Sequence, residues 1–202
     1  GQALMCCATP QSALVIEVES AGGASALRLY QGRVERIERL APEMIRLTLS
    51  LPDGERIAFA AGQYINVVLD DGQRRAFSFA NPPHDGGHVE LHVRLIPGGR
   101  FTTHVFTGLR VGDTLDFEGP LGDFTLRESA RPILFVAGAT GFAPVKSILE
   151  DAFQRGVQRP MWLYWGVRQR QDLYLLDLAE RWQREYANFH LVPVLSHATP
   201  ED

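Results

Sequence analysis

A chain of 202 residues with 45% hydrophobic and 22% charged content carries the apolar mass for one large domain or two small ones. Its net charge of −4 gives no reason to expect nucleic acid or an anionic lipid surface as partner. No run approaches the ~18 apolar residues that a membrane span needs. No charged-then-apolar opening marks a signal peptide, so a cytoplasmic location is expected.

Taken in order, residues 1–20 hold both cysteines, Cys6 and Cys7, followed by the strand-like run Leu14-Val15-Ile16-Glu17-Val18. Adjacent cysteines rarely pair with each other, and two thiolates fall short of the four that an iron–sulfur cluster needs. On their own they read as a buried free thiol and its neighbour. Ala21-Gly22-Gly23-Ala24-Ser25-Ala26 is small and flexible enough to be a linker, placed at 21–28. From Leu27 to about Arg131 short strands alternate with turns. The strands are Arg33–Ile37, Met44–Leu51, Gln63–Leu69, Arg75–Phe79, Val89–Ile96 and Thr114–Glu118. Pro52-Asp53-Gly54, Asp70-Asp71-Gly72, Asn81-Pro82-Pro83, Pro97-Gly98-Gly99 and Gly119-Pro120-Leu121-Gly122 punctuate them. With only a brief helical patch near Phe101–Leu109, the pattern predicts a small antiparallel β-barrel over residues 29–130.

Beyond Arg131 the period changes. A strand (Ile133–Val136), a helix (Pro144–Gln154), a strand (Met161–Gly166), a helix (Leu173–Tyr186) and a strand (His190–Leu195) predict a parallel α/β domain over 131–202. A barrel followed by part of a doubly wound sheet leaves a crevice between two modules, a usual place for a ligand. Three strands are few for such a sheet, and the chain opens on Gly1 and stops in a polar run. A truncated α/β domain, in a fragment of a longer protein, is therefore expected.

Two stretches carry chemistry. Gly138-Ala139-Thr140-Gly141 joins a short apolar strand to a helix whose first turn suits Pro144, since the missing N–H is an orphan donor there. The free N–H groups and positive dipole end of that helix favour a phosphate, and Thr140 adds a hydroxyl. The spacing is not G-x-G-x-x-G, and an ordinary strand-to-helix turn accounts for these residues equally well. In Arg74-Arg75-Ala76-Phe77-Ser78-Phe79, strand alternation puts Arg75, Phe77 and Phe79 on one face and Ala76 and Ser78 on the other. An arginine holds a phosphate through charge-assisted bonds worth roughly 1.5–3 kcal/mol each. An aromatic beside it stacks a flat ring, and a hydroxyl serves the ring edge. A strand with two surface arginines is the plainer alternative.

Read together, these stretches resemble the ferredoxin–NADP reductase superfamily. Arg75-Ala76-Phe77-Ser78 is similar to its R-x-Y-S flavin motif and Gly99-Arg100-Phe101-Thr102 to its G-x-x-S pyrophosphate motif. Gly138 to Pro144 is similar to its G-G-T-G-x-A-P nicotinamide motif. Gly62-Gln63-Tyr64, Gly119-Pro120-Leu121-Gly122 and Tyr164-Trp165-Gly166-Val167-Arg168 follow in the expected order. The wording is nearest the iron–sulfur flavoprotein reductases, in which a [2Fe–2S] module precedes the barrel. Leu4-Met5-Cys6-Cys7-Ala8 resembles the tail of that module, with Cys6 aligned to its last cluster cysteine. The resemblance implies a cluster in the parent protein, since the other three ligands are absent from this sequence.

The resemblance implies that Arg75 binds the FAD pyrophosphate, that Phe77 packs on the isoalloxazine, that Ala76 belongs to the same FAD-binding set, and that Ser78 hydrogen-bonds the hydride-accepting nitrogen. It implies that His92, Val93 and Arg94 line the adenine and ribitol side, and that Gly99, Arg100, Phe101 and Thr102 cap the pyrophosphate, with Thr140 close by. Gly138, Ala139, Thr140, Gly141 and Pro144 would receive NADH or NADPH, flanked by Gly166, Val167, Arg168 and Ser196. Arg168 and Arg170 are candidates for a 2′-phosphate but equally read as solvated arginines after a strand, so NADH is preferred. Phe77 stands where the family has tyrosine, Thr102 where it has serine, and Ala139 where it has a second glycine. Ala139 therefore meets a positive φ only with strain. The family's C-G-P segment and final helix have no counterpart in this sequence. The implied activity is an NAD(P)H-dependent flavoprotein reductase passing electrons to an acceptor protein, an oxygenase or dehydrase component. A free-flavin reductase and a non-catalytic flavin-binding module that docks a partner are the rival readings.

Overall fold

The structure, a computed structural model, describes residues 28–198. The readings on Cys6, the Leu14–Val18 strand and the residues 21–27 of the linker lie outside the described residues.

Six strands, β1 (Arg28–Ala41), β2 (Met44–Ser50), β3 (Tyr64–Val68), β4 (Arg74–Ser78), β5 (His88–Arg94) and β6 (Thr114–Leu121), form one sheet in the order β4-β3-β6-β1-β2-β5. Every pairing is antiparallel. β1 runs well beyond the predicted 33–37 at both ends because it serves two neighbours, β6 along its first half and β2 along its second. A register shift between Val34 and Arg36 lets it do so. Period-2 alternation turns Leu47, Leu49, Ile65, Val67, Leu91, Val93 and Phe117 into a common core. The predicted helical patch is α1 (Arg100–Thr107), which buries Phe101 and Val105 in the same core.

The expected barrel is not closed by a ladder; the sheet keeps two edges, β4 and β5. Just past β4 the Ala80 N–H donates to the Glu90 carbonyl at 2.8 Å. Asn81 Oδ1 then accepts from the Glu90 N–H at 2.9 Å. Pro82 and Pro83 follow, and with no N–H to donate they stop the pairing there.

The second half holds β7 (Ile133–Gly138), β8 (Met161–Val167) and β9 (Phe189–Leu195), parallel and in the order β7-β8-β9. Helices α2 (Phe142–Gln154) and α3 (Leu176–Glu185) cover one face. Phe142 stacks on Trp165 at 3.9 Å between ring centroids, beneath the glycine turn. Such burial contributes roughly 1.5–3 kcal/mol per large apolar side chain. On the opposite face Leu134, Val136, Tyr164 and Val194 are exposed. α2 starts two residues before Pro144, which still sits in its first turn, as its missing N–H requires. α3 starts at Leu176 rather than Leu173, because a capping box between Gln169 and Asp172 closes a separate turn first. Tyr174 is thereby freed from the helix. No described helix is long and apolar enough to cross a membrane.

Candidate functional site

Two clefts meet at the Gly138–Gly141 turn. The first, about 630 Å³, is lined by Arg75, Ala76, Phe77 and Ser78 of β4, by the Gly98–Thr102 segment, and by Thr140, Gly141 and Pro144. The second, about 790 Å³, is lined by Gly138, Ala139, Gly166, Val167, Arg168, Ser196 and His197, with Glu43 and Tyr174. Arg94 lines both. Both volumes fall in the range of ligand sites, roughly 300–1,000 Å³.

In the first cleft the two adjacent arginines part company. Arg74 is spent on Glu118, Nε to Oε1 at 2.6 Å, with the guanidinium hydrogen bond holding that carboxyl below its usual range. The Arg75 guanidinium bonds only to its chain neighbours, at the Arg74 carbonyl (2.9 Å) and the Gln73 side chain (2.7 Å). Among the described residues it has no carboxylate partner, so its charge is available to an anion. The Ser78 and Thr140 hydroxyls likewise make no side-chain hydrogen bond among the described residues. Phe77 is half-buried and tilted against Phe101 at 5.3 Å, leaving part of its surface to the cleft. Arg100, at the start of α1, pairs with Asp71 of the β3–β4 turn across this end of the cleft. The N–H groups of the first turn of α1 lack intrahelical partners and are suited to an anion. The Thr102 hydroxyl is used locally, accepting from the Ile96 N–H at 3.1 Å and bonding the Gly99 carbonyl at 3.2 Å.

The glycine turn shows why it is built as it is. Gly138 has φ −104° and Gly141 φ −58°, values open to any residue. A Cβ at either would meet no protein atom within 4 Å. Neither the backbone nor the packing demands glycine there, so what the two glycines leave is open room for a ligand against the main chain. Ala139 sits between at φ 45°, the strained region for an L-residue, and its carbonyl accepts from the Trp165 indole N–H at 3.1 Å. In the second cleft the Ser196 and His197 N–H groups are bonded to the Val167 and Arg168 carbonyls at 3.0 and 2.9 Å, which sets their side chains beside Arg168. Arg170 is instead paired with Glu180 at 3.8 Å, away from the cleft.

Of the expected flavin and nicotinamide residues among those described, the structure gathers all but Val93 and Arg170 around these clefts, and Cys6 lies outside the described residues. Val93 is buried in the sheet core. Thr140, Gly141 and Pro144 face the first cleft, while Gly138 and Ala139 face the second. The His92 side chain has no exposure and is turned to the contact between the two halves. There its Nε2 lies 3.0 Å from Glu90 Oε1 and its Nδ1 3.0 Å from the Tyr174 hydroxyl.

That contact is a polar network the sequence reading missed. Lys146 of α2 lies 3.3 Å from Glu90, 2.9 Å from Glu150 and 3.0 Å from the Ala80 carbonyl. Ser147 donates to the Asn81 carbonyl at 2.7 Å. Burial works against the Glu90 charge, but the His92 hydrogen bond and the nearby Lys146 and Arg46 charges hold its carboxyl down at about 2. Burial pushes His92 below its usual range and the Tyr174 phenol above its own. The available signal was Lys146 itself, a charge set among Val145, Ile148 and Leu149 on a helix buried nearly all round.

The comparisons with known proteins agree with this geometry. The family described as an oxidoreductase FAD-binding domain matches residues 31–126, and that described as an oxidoreductase NAD-binding domain matches residues 135–202. The chain is 41% identical to the terephthalate 1,2-dioxygenase reductase component 2 of a Comamonas species, over 96% of this chain and 59% of that protein. It is 38% identical to the CDP-6-deoxy-L-threo-D-glycero-4-hexulose-3-dehydrase reductase of Yersinia pestis, over 97% and 60% respectively. Among solved structures, the Amycolatopsis cytochrome P450 reductase GcoB superposes with a TM-score of 0.81 at 38% identity, over 87% of this chain and 54% of that one. The chain thus spans about three-fifths of the length of the curated relatives it matches. With a flavin-type and a nicotinamide-type domain in this order and these relatives, the chain belongs to the ferredoxin–NADP reductase superfamily of FAD- and NAD-binding oxidoreductases.

Proposed function

We propose that this chain is the flavin- and nicotinamide-binding part of an NAD(P)H-dependent reductase that supplies electrons, through an iron–sulfur centre, to an acceptor protein of the oxygenase or dehydrase type. The observation that carries the reading is the shared turn: Thr140 and Gly141 open on the first cleft, Gly138 and Ala139 on the second. Two ligands held there lie on either side of one short loop.

The residues fit the groups. FAD, if held here, would supply two-electron to one-electron redox chemistry between a nicotinamide and a one-electron acceptor. Arg75 holds the pyrophosphate, aided by the first-turn N–H groups after Gly99. Phe77 and Ala76 bound the ring system. Ser78 is the residue we assign to the reacting edge of the ring, as a hydrogen-bond donor, with Thr140 opposite as a second hydroxyl. Arg94 closes the wall common to both clefts. Gly138 and Ala139 admit the nicotinamide dinucleotide, and Arg168 with Ser196 flanks its far end. Of the two candidates for a 2′-phosphate only Arg168 lines the second cleft, Arg170 being paired with Glu180, which favours NADH.

We assign residues 29–130 to the flavin domain and 131–202 to the nicotinamide domain. The change from antiparallel to parallel pairing between Leu121 and Ile133 supports that division. Residues 1–20 are assigned to the tail of a ferredoxin-type module with Cys6 as a cluster ligand, residues 21–28 to a linker, and the whole to the cytoplasm. The relatives are named as components of a dioxygenase and a dehydrase system, and that supports the class of acceptor.

The visible spectrum of the purified chain, before and after NADH is added without oxygen, tests the reading. A flavin spectrum that NADH bleaches is the expected result. Bound FAD that NADH fails to bleach would remove hydride transfer from this chain, and a protein that refuses added FAD would remove the flavin assignment.

A further inference from the structure

We propose that the hydrogen-bonded chain Glu90–His92–Tyr174 couples the two clefts, so that filling one raises the affinity of the other. The proposal rests on the two-cleft reading above.

The chain has a defined polarity. Glu90 is held ionised by Lys146 at 3.3 Å and can only accept hydrogen bonds. Its partner, His92 Nε2, must therefore carry the proton at 3.0 Å. In the neutral imidazole Nδ1 is then the acceptor, and the Tyr174 hydroxyl at 3.0 Å is its donor. Each link has one donor and one acceptor, so loss of either partner leaves the facing polar atom without its hydrogen bond.

The two ends lie in different walls. His92 belongs to the β5 wall of the first cleft, next to Arg94. Tyr174 lies in the wall of the second. From Tyr174 the contact continues by packing, edge-on to Trp165 at 5.4 Å and to Phe142 at 6.1 Å. Trp165 in turn donates to the Ala139 carbonyl at the shared turn. A ligand that fixes β5 therefore also fixes part of what the second ligand must order. Its cost at the second cleft falls, and by linkage the factor is the same in both directions.

The test is four titrations of the full chain: FAD by fluorescence quenching and NAD⁺ by calorimetry, each with and without saturating amounts of the other. NAD⁺ is used so that no turnover occurs. In the wild type each nucleotide should tighten the other by at least about fivefold. In Tyr174→Phe, which keeps the ring and removes only the hydroxyl, that factor should fall to near one, whatever the change in either affinity alone. His92→Leu, which has neither donor nor acceptor, breaks the same chain from the other side and should give the same loss, so a failure of one variant to fold leaves the other decisive. A wild-type factor of one, or a factor retained in a folded variant, overturns the coupling while leaving the two-cleft reading intact. Failure of either nucleotide to bind the wild-type chain overturns the reading and the coupling with it.

Discussion

Lys146 donates its ammonium to the backbone carbonyl of Ala80 at 3.0 Å, tying the helix behind the glycine turn to the end of strand β4. With Glu90 and Glu150 beside it and 7% of its side chain exposed, this charge depends on its partners. Removing one member of a buried ionic cluster costs roughly 3–5 kcal/mol, because the others are left uncompensated. Lys146→Met should lower the unfolding free energy in urea by that order. Arg155→Ala, which breaks the exposed pair with Asp151, should cost under about 1 kcal/mol. Equal losses would show that the suture carries no special weight.

The same network predicts how stability depends on pH. Glu90 sits near about 2 folded against 4.5 in its ordinary state, so its contribution is complete above pH 4.5 and is lost as pH falls towards 2. His92, lowered by burial from 6.5, stays neutral in the fold while the unfolded chain takes up a proton. Its contribution therefore begins to decline as pH drops below 6.5. Glu150, raised by burial, works the other way and offsets part of the acid limb. Urea midpoints between pH 8 and 3 should show a decline beginning near 6.5 that His92→Gln removes; an unchanged onset in that variant would exclude His92 as its source.

Ala139 occupies the left-handed region at φ 45°, where an L-residue costs about 1–2 kcal/mol and glycine does not. Part of that gain is returned through the greater freedom of unfolded glycine. Ala139→Gly should therefore stabilise the chain by about 0.5–1 kcal/mol, read as a higher urea midpoint at unchanged slope.

Gly138 offers the opposite test. A Cβ there meets no protein atom within 4 Å, and the strand backbone suits a branched residue, so Gly138→Val should leave stability within about 0.5 kcal/mol. It should still weaken NADH binding at least about tenfold, because the new methyls fill the second cleft. Unchanged affinity in a calorimetric titration would place the dinucleotide elsewhere.

Arg75 and Arg74 differ by one position and by one salt bridge. Arg75→Ala should weaken FAD binding about ten- to a hundredfold, the loss of a charge-assisted hydrogen bond to the pyrophosphate. Arg74→Ala, which frees Glu118, should leave FAD affinity near that of the wild type. Flavin fluorescence titration separates them, and the reverse order would reassign the phosphate-binding arginine.

The elements and their order, the glycine turn and the change from antiparallel to parallel architecture were all legible in the sequence. Alternation in β2 or β5, the spacing of Val145, Ile148 and Leu149, and the proline and glycine turns arise from local sterics and local burial, which a short window of residues contains. The helical pattern runs from Leu173, but a local capping box competes with it there, so α3 begins at Leu176 and Tyr174 stands outside the helix. Closure of a barrel does not follow from strand count, which does not say whether the edges β4 and β5 meet.

What only the tertiary structure decided are the relations between distant residues. His92 and Tyr174 are 82 positions apart and Lys146 and Ala80 are 66 apart, and no periodicity marks either pair. Which arginine is neutralised, and which half of the glycine turn opens on which cleft, likewise depend on how the two halves pack. A side chain's type and its local period are properties of the chain. Its partner is set by where burial brings the other half, since a buried charge persists only beside a group that compensates it.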